Sequence, residues 1–176
     1  MVRSGICSIA AACAATALTA AFAYPAHADE AQVQRGKYLV TIAGCSDCHT
    51  PGALIGKTDM ARYLGGSDVG FAIPGLGVYY GQNLTPDKAT GLGDWSNDQI
   101  VAAIRTGKRP DGGMLFPVMP YPALAHLTDE DAQAIVAFLK SLPAVTNKVP
   151  GPLGPKDNPA GLLSVIIPAD KYPAVQ

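Results

Sequence analysis

A short cluster of sulfur and imidazole side chains constrains this chain of 176 residues more than any other feature. Cys45 and Cys48 are separated by two residues and His49 follows directly, which gives the pattern C-x-x-C-H. The apolar residues before it recur at helical spacing, so the motif follows a predicted helix. This pattern is typical of covalent haem attachment, in which two thiols form thioethers with the porphyrin and the histidine binds the iron. We therefore expect one haem c, with His49 as the proximal ligand.

Three other uses of the two cysteines fit the sequence less well. A zinc site commonly has two close pairs of ligands, and here a second pair is missing because His126 lies far along the chain. A thioredoxin-like redox pair belongs beside a βαβ pattern, which this glycine-broken sequence lacks. A disulfide between Cys45 and Cys48 would close a loop too small to contribute much stability.

The first 28 residues are predicted to be an export signal. Arg3 precedes a nearly uninterrupted apolar run from Ile6 to Tyr24, and small residues at Ala26 and Ala28 form an A-x-A cleavage site. Cleavage after Ala28 would release 148 residues into the periplasm, with two cysteines and two histidines. The alternative is an uncleaved membrane anchor. The many alanines of the run disfavour it, because alanine partitions weakly into lipid.

Composition excludes two broad classes of protein. Hydrophobic residues make up 48% of the chain and charged residues 15%, which is too apolar for a disordered chain. Lysine and arginine number 13 against 14 acidic residues, so no basic face is available for nucleic acid. The 19 glycines and 15 prolines predict a compact fold rich in loops.

Two helices are predicted from local signals at their ends. Residues 29–44 begin with acidic side chains and carry one broad apolar face, and Gly36 inside this helix is expected to permit a close helix contact. Residues 96–106 form the second helix, because Ser96 and Gln99 make a capping box and a glycine follows the last turn.

The third helix and the regions around it complete the predicted organisation. Residues 128–142 begin with a threonine cap and three acidic residues and end at a proline. Residues 50–95 are divided by turns, and their apolar part from Phe71 to Tyr80 is expected to be buried. A domain over 29–143 is followed by an extended proline-rich tail over 144–176, which we expect to pack on the domain.

The distal iron ligand has several candidates. Met119 lies among three prolines between Phe116 and Pro122, and this stiff loop would present a thioether with little loss of entropy. Met114 lies beside two glycines, and His126 has an ordinary role before the last helix. We therefore expect Met119, rather than Met114, His126 or Met60. Four residues are equally compatible with lining the haem and with ordinary packing: Trp95, Tyr79, Tyr80 and Asn83.

An ordered series of motifs resembles the class I cytochromes c. Besides C-x-x-C-H it comprises RGKYL at 35–39, NLTPD at 83–87, TGLGDW at 90–95, DG at 111–112, MPY at 119–121 and LTDED at 127–131. More narrowly, the chain resembles the cytochrome subunits that accept electrons from bacterial periplasmic alcohol and aldehyde dehydrogenases. The resemblance implies an all-α fold with crossing first and last helices and loops around one covalent haem. It also implies that Cys45 and Cys48 bind the haem covalently, with His49 proximal and Met119 distal.

We expect a periplasmic electron carrier with one haem and no catalytic residues, rather than an enzyme. It would take single electrons from a dehydrogenase and pass them to a respiratory acceptor. Its partners would be redox proteins, with no nucleic acid, and a membrane only if the N-terminal segment stays uncleaved. One alternative is a subunit of a dehydrogenase complex. The other is a haem sensor or enzyme with an open distal position, which needs Met119 to be off the iron.

Overall fold

The computed structural model describes Met1 and residues 29–165, and the predicted export signal lies outside these residues. The helices are α1 (Glu30–Ile42), α2 (Cys45–His49), α3 (Asn97–Thr106), α4 (Tyr121–Leu124) and α5 (Asp129–Ser141). The strands are β1 (Val69–Ile73), β2 (Gly77–Tyr80) and β3 (Leu162–Val165). No helix within 29–165 is both long and apolar enough to cross a lipid bilayer.

The three predicted helices are confirmed as α1, α3 and α5. The Asp29 side chain caps α1 by accepting a hydrogen bond from the amide of Ala31. In α3 the reciprocal capping box of Ser96 and Gln99 is present, and Gly107 ends the helix in the left-handed conformation. These ends agree with the sequence because a cap is a contact between residues two to four positions apart.

The core lies where α1 crosses α5. Gly36 packs directly on α5, where a side chain at this position would collide with the Ala134 carbonyl and with Phe138. The expected close helix contact is therefore confirmed. Across the same crossing, Arg35 donates two hydrogen bonds to the carboxylate of Asp131, at 2.8 and 3.1 Å. The buried core of the crossing comprises Leu39, Val40, Leu64, Ile100, Ile104, Ala134, Ile135, Val136, Phe138 and Leu139.

The expectation of an all-α fold is wrong, because the chain also forms a three-stranded sheet in the order β2-β1-β3. Strands β1 and β2 form an antiparallel hairpin in which Phe71 pairs with Tyr79. Strand β3 pairs in parallel with β1, beginning at Val69 and Leu162. The apolar segment around this hairpin therefore forms strands. Their pairing depends partly on residues more than ninety positions away, which local patterns do not reveal.

Residues 145–165 run along both sides of the hairpin. Val78 in β2 exchanges two backbone hydrogen bonds with Leu153, at 3.0 and 2.9 Å. The Tyr80 hydroxyl donates to the carbonyl of Ala160 at 3.1 Å, after which the chain continues into β3. Val149 is buried and packs in one cluster with Val78 and Tyr80. This part of the chain therefore encloses the hairpin from both edges.

Candidate functional site

The C-x-x-C-H motif forms the short helix α2. Gly44 lies in the left-handed conformation with a φ of 65° and turns the chain from α1 into α2. Cys45 and Cys48 are three residues apart in this helix, so their side chains lie on the same side of it. Both are half-buried free thiols. The two cysteines and His49 are thus brought together within one and a half turns.

Partial burial makes both thiols less acidic than free cysteines. Burial raises the pKa of Cys45 to about 11. Burial also raises the pKa of Cys48, and the charge of Asp47 raises it further. A reactive redox cysteine needs the opposite, a pKa lowered by positive charge or a helix N-terminus. The raised pKa values of both thiols are therefore the opposite of those of a thioredoxin-like pair.

His49 is oriented by a single hydrogen bond. Its Nδ1 lies 2.7 Å from the carbonyl oxygen of Gln82. Since a carbonyl only accepts, Nδ1 carries the proton and Nε2 keeps its lone pair for a metal. Burial lowers the pKa of His49 and the bond to Gln82 raises it, the burial being the larger effect. The histidine is therefore held as the neutral tautomer that binds metals.

The segment that follows β2 packs against the motif backbone. A side chain at Gly81 would collide with the carbonyl oxygen of Cys48. The Gly81 carbonyl accepts from the Ser67 amide at 2.8 Å, and the His49 carbonyl accepts from the Gly66 amide at 2.8 Å. Two adjoining loop segments thus hold the end of α2 in place. Sequence reasoning missed these contacts, because backbone groups of any residue type can make them.

Met119 is half-buried in a turn that is anchored to β2. The amide of Met119 donates to the Phe116 carbonyl at 3.0 Å. The Phe116 ring stacks on Tyr79 with centroids 4.3 Å apart and planes 19° apart. Tyr79 precedes Gln82 by three residues, so one short segment contacts both the Met119 turn and His49. Met114 is 58% exposed and His126 is also exposed.

Of the four residues that the sequence left between haem lining and ordinary packing, Asn83 and Tyr80 make hydrogen bonds that stabilise the fold. Asn83 is buried, and its amide donates to the Thr90 hydroxyl at 3.0 Å and to the Val145 carbonyl at 2.7 Å. Its side-chain oxygen accepts from Thr85. The Tyr80 hydroxyl is bonded to the backbone of residue 160. Of the other two, Tyr79 stacks on Phe116, and Trp95 packs at the edge of the core.

The residues around α2 fit the haem that the motif implies. Two thiols lie on one side of a helix beside a neutral histidine with a free Nε2. Cys45 packs against the same hydrophobic core as several half-buried apolar side chains, which include Tyr63, Leu84, Leu92, Trp95, Leu124 and Leu127. Within residues 29–165 no group of three or more histidine, cysteine or acidic side chains is arranged to hold a metal ion by itself. Two thiols and one imidazole at this spacing are the groups that attach a porphyrin and bind its iron.

Known proteins match this chain over most of its described part. Residues 33–143 match the family model described as Cytochrome c. The cytochrome c subunit of the quinone alcohol dehydrogenase of Gluconobacter oxydans (strain 621H) is 38% identical over 130 residues, 74% of this chain and 25% of the relative. The fructose dehydrogenase cytochrome subunit of Gluconobacter japonicus is 39% identical over 116 residues, 65% and 22% of the two chains. The gluconate 2-dehydrogenase cytochrome c subunit of Pantoea cypripedii is 39% identical over 111 residues, 63% and 23%. The chain spans about a quarter of the length of these relatives.

Proposed function

The chain belongs to the cytochrome c family, and from that membership we propose that it is an electron-transfer protein holding one haem c. Cys45 and Cys48 would attach the porphyrin, His49 would bind the iron through Nε2, and Met119 would be the distal ligand. The observation that carries this proposal is the hydrogen bond from His49 Nδ1 to the Gln82 carbonyl, which leaves Nε2 free for iron.

When bound, the haem supplies a one-electron couple between Fe(III) and Fe(II). The protein's part is to hold the ligands still and to shape their surroundings. His49 is fixed at Nδ1, and Met119 lies in a turn held by the stacking of Phe116 on Tyr79. Rigid ligands keep reorganisation on electron transfer small. The half-buried apolar side chains that pack with Cys45 against the core would exclude water from the haem and disfavour the more charged oxidised state.

The partners follow from the same proposal. The similar proteins are named as cytochrome subunits of alcohol, fructose and gluconate dehydrogenases. The electron donor would accordingly be a periplasmic dehydrogenase, and the acceptor a component of the respiratory chain. The domain would cover residues 29–143, after an export signal over 1–28 and before a tail over 144–176.

A second role, as a subunit of a dehydrogenase complex, fits the names of the relatives equally well. Both roles transfer electrons, and neither needs a catalytic residue in this chain. Size-exclusion chromatography of the protein isolated from its native membrane and periplasmic fractions separates them. A free carrier elutes alone at the size of one chain, whereas a subunit elutes with dehydrogenase activity.

The ligand set is tested by visible spectroscopy of the purified, haem-loaded protein. We expect a six-coordinate low-spin haem c, with the far-red sulfur-to-iron band in the oxidised form. The band should be lost in Met119→Ala and kept in Met114→Ala, the matched control at an exposed methionine. The reverse pattern would refute Met119 as ligand. A high-spin ferrous parent that binds carbon monoxide readily would support a sensor or enzyme instead.

A further inference from the structure

Gln82 joins the C-terminal tail to His49. Its backbone carbonyl accepts the bond from His49 Nδ1 at 2.7 Å. Its side-chain amide donates to the Tyr80 carbonyl at 3.1 Å and to the Pro150 carbonyl at 2.9 Å. One residue therefore contacts the histidine of the motif, the end of β2 and the tail.

The chain is also fixed to the tail on both sides of Gln82. On its C-terminal side, the buried amide of Asn83 donates to the Val145 carbonyl at 2.7 Å. On its N-terminal side, Val78 in β2 pairs with Leu153 through two backbone hydrogen bonds. The position of the Gln82 carbonyl thus depends on the contacts that Val78, Gln82 and Asn83 make with the tail.

The strength of the bond to His49 depends closely on this position. At 2.7 Å the bond is at the short end for nitrogen and oxygen, and such bonds weaken steeply as their angle bends. A strong acceptor at Nδ1 fixes the ring and makes the histidine a more basic ligand. A more basic ligand stabilises the more positively charged metal state. A displaced carbonyl would weaken this effect.

We propose that the tail sets the reduction potential of the site through Gln82, which acts as a positioning residue. The inference rests on the proposed function, since it requires iron on His49. Gln82 acts only through the histidine, and its side chain keeps the carbonyl in place by binding Pro150. Loss of that anchor lets the carbonyl move, makes the imidazole less basic and raises the potential.

The test uses the haem-loaded full chain and the variant Gln82→Leu, which removes both side-chain donors and keeps the backbone carbonyl. The matched control is Gln34→Leu on the exposed face of α1, where the amide donates only to Glu30 at 2.7 Å. Spectroelectrochemical titration should show a rise in midpoint potential equivalent to about a tenfold change in the oxidised-to-reduced ratio, or about 59 mV for one electron. The control should keep the parent potential.

Proton NMR of the reduced protein supplies the second readout. The Nδ1 proton resonance of His49 should shift in Gln82→Leu and stay in place in Gln34→Leu. A lower melting temperature with an unchanged potential and resonance would overturn the proposal, because Gln82 would then only stabilise the fold.

A third variant covers the case in which Gln82→Leu does not fold. Pro150→Gly keeps the accepting carbonyl but loosens the tail backbone, and it should raise the potential in the same direction. An unchanged potential in this variant would also overturn the proposal. Failure of the proposed function is distinguishable, because a parent chain without low-spin haem reveals it before any variant is made.

Discussion

Gly36→Ala should destabilise the protein, although alanine is the better helix former. A Cβ at position 36 would lie 2.8 Å from the Cβ of Phe138 and closer still to the backbone of Ala134. Helix α5 cannot rotate its own backbone out of the way. Relief therefore requires α1 and α5 to separate by about 1 Å, a gap that removes a quarter to a half of the dispersion energy between facing atoms.

The expected magnitude follows from two opposing terms. Overpacking against backbone lies at the upper end of the usual range, about 3 kcal/mol, whereas the gain in helix propensity is about 1 kcal/mol. The net loss of unfolding free energy is thus about 2 kcal/mol, measurable by urea unfolding of the haem-loaded protein with far-UV circular dichroism. Gly151→Ala is the matched control, because no atom lies within 4 Å of a Cβ there. A Gly36→Ala protein as stable as the parent would refute the close crossing of the helices.

Acid should weaken the same crossing. The Arg35 guanidinium lowers the pKa of Asp131, so this ion pair contributes stability at neutral pH and loses it as the pH falls below about 4 and through the lowered folded pKa. Urea unfolding against pH should show a shallower acid loss in Asp131→Asn, and identical profiles would contradict the role of the pair. Asn83→Leu removes the amide that donates to the Val145 carbonyl and the Thr90 hydroxyl, and it removes the oxygen that accepts from the buried Thr85 amide. It should lower the unfolding free energy by about 1–3 kcal/mol in urea melts, and parent-like stability would show that the network is dispensable.

Helices were predictable because their signals are local. The Ser96 and Gln99 capping box and the threonine cap of α5 are read from four consecutive residues, and both occur where expected. Gly36 was predictable as a contact because an interior glycine weakens a helix and so needs a reason. The C-x-x-C-H motif is equally local, and its residues are brought together by one short helix.

The sheet and the partner of His49 were not predictable in this way. Strand β3 is four residues long and exposed, and it pairs with β1 across more than ninety residues, so no periodicity marks it. The Gln82 carbonyl is a backbone atom, and every residue has one. The sequence marks Asn83 only as a polar residue. Its hydrogen bonds to Thr90 and Val145 in the folded chain show that its amide stabilises the fold.

The contacts of the tail follow one another along the chain, from Val145 through Leu153 to β3, and β3 is the exposed one. Once Leu153 is in place, the loop that must close to bring Leu162 to Val69 has about nine residues. Direct pairing would close a loop of about ninety residues, which costs about 2 kcal/mol more in closure entropy. The contacts of the tail therefore form in order from Val145 towards β3, and they open in the reverse order. Local unfolding would separate β3 from β1 before it broke the contact of Gln82 with the tail. Fluctuations at β3 are thereby kept away from the histidine.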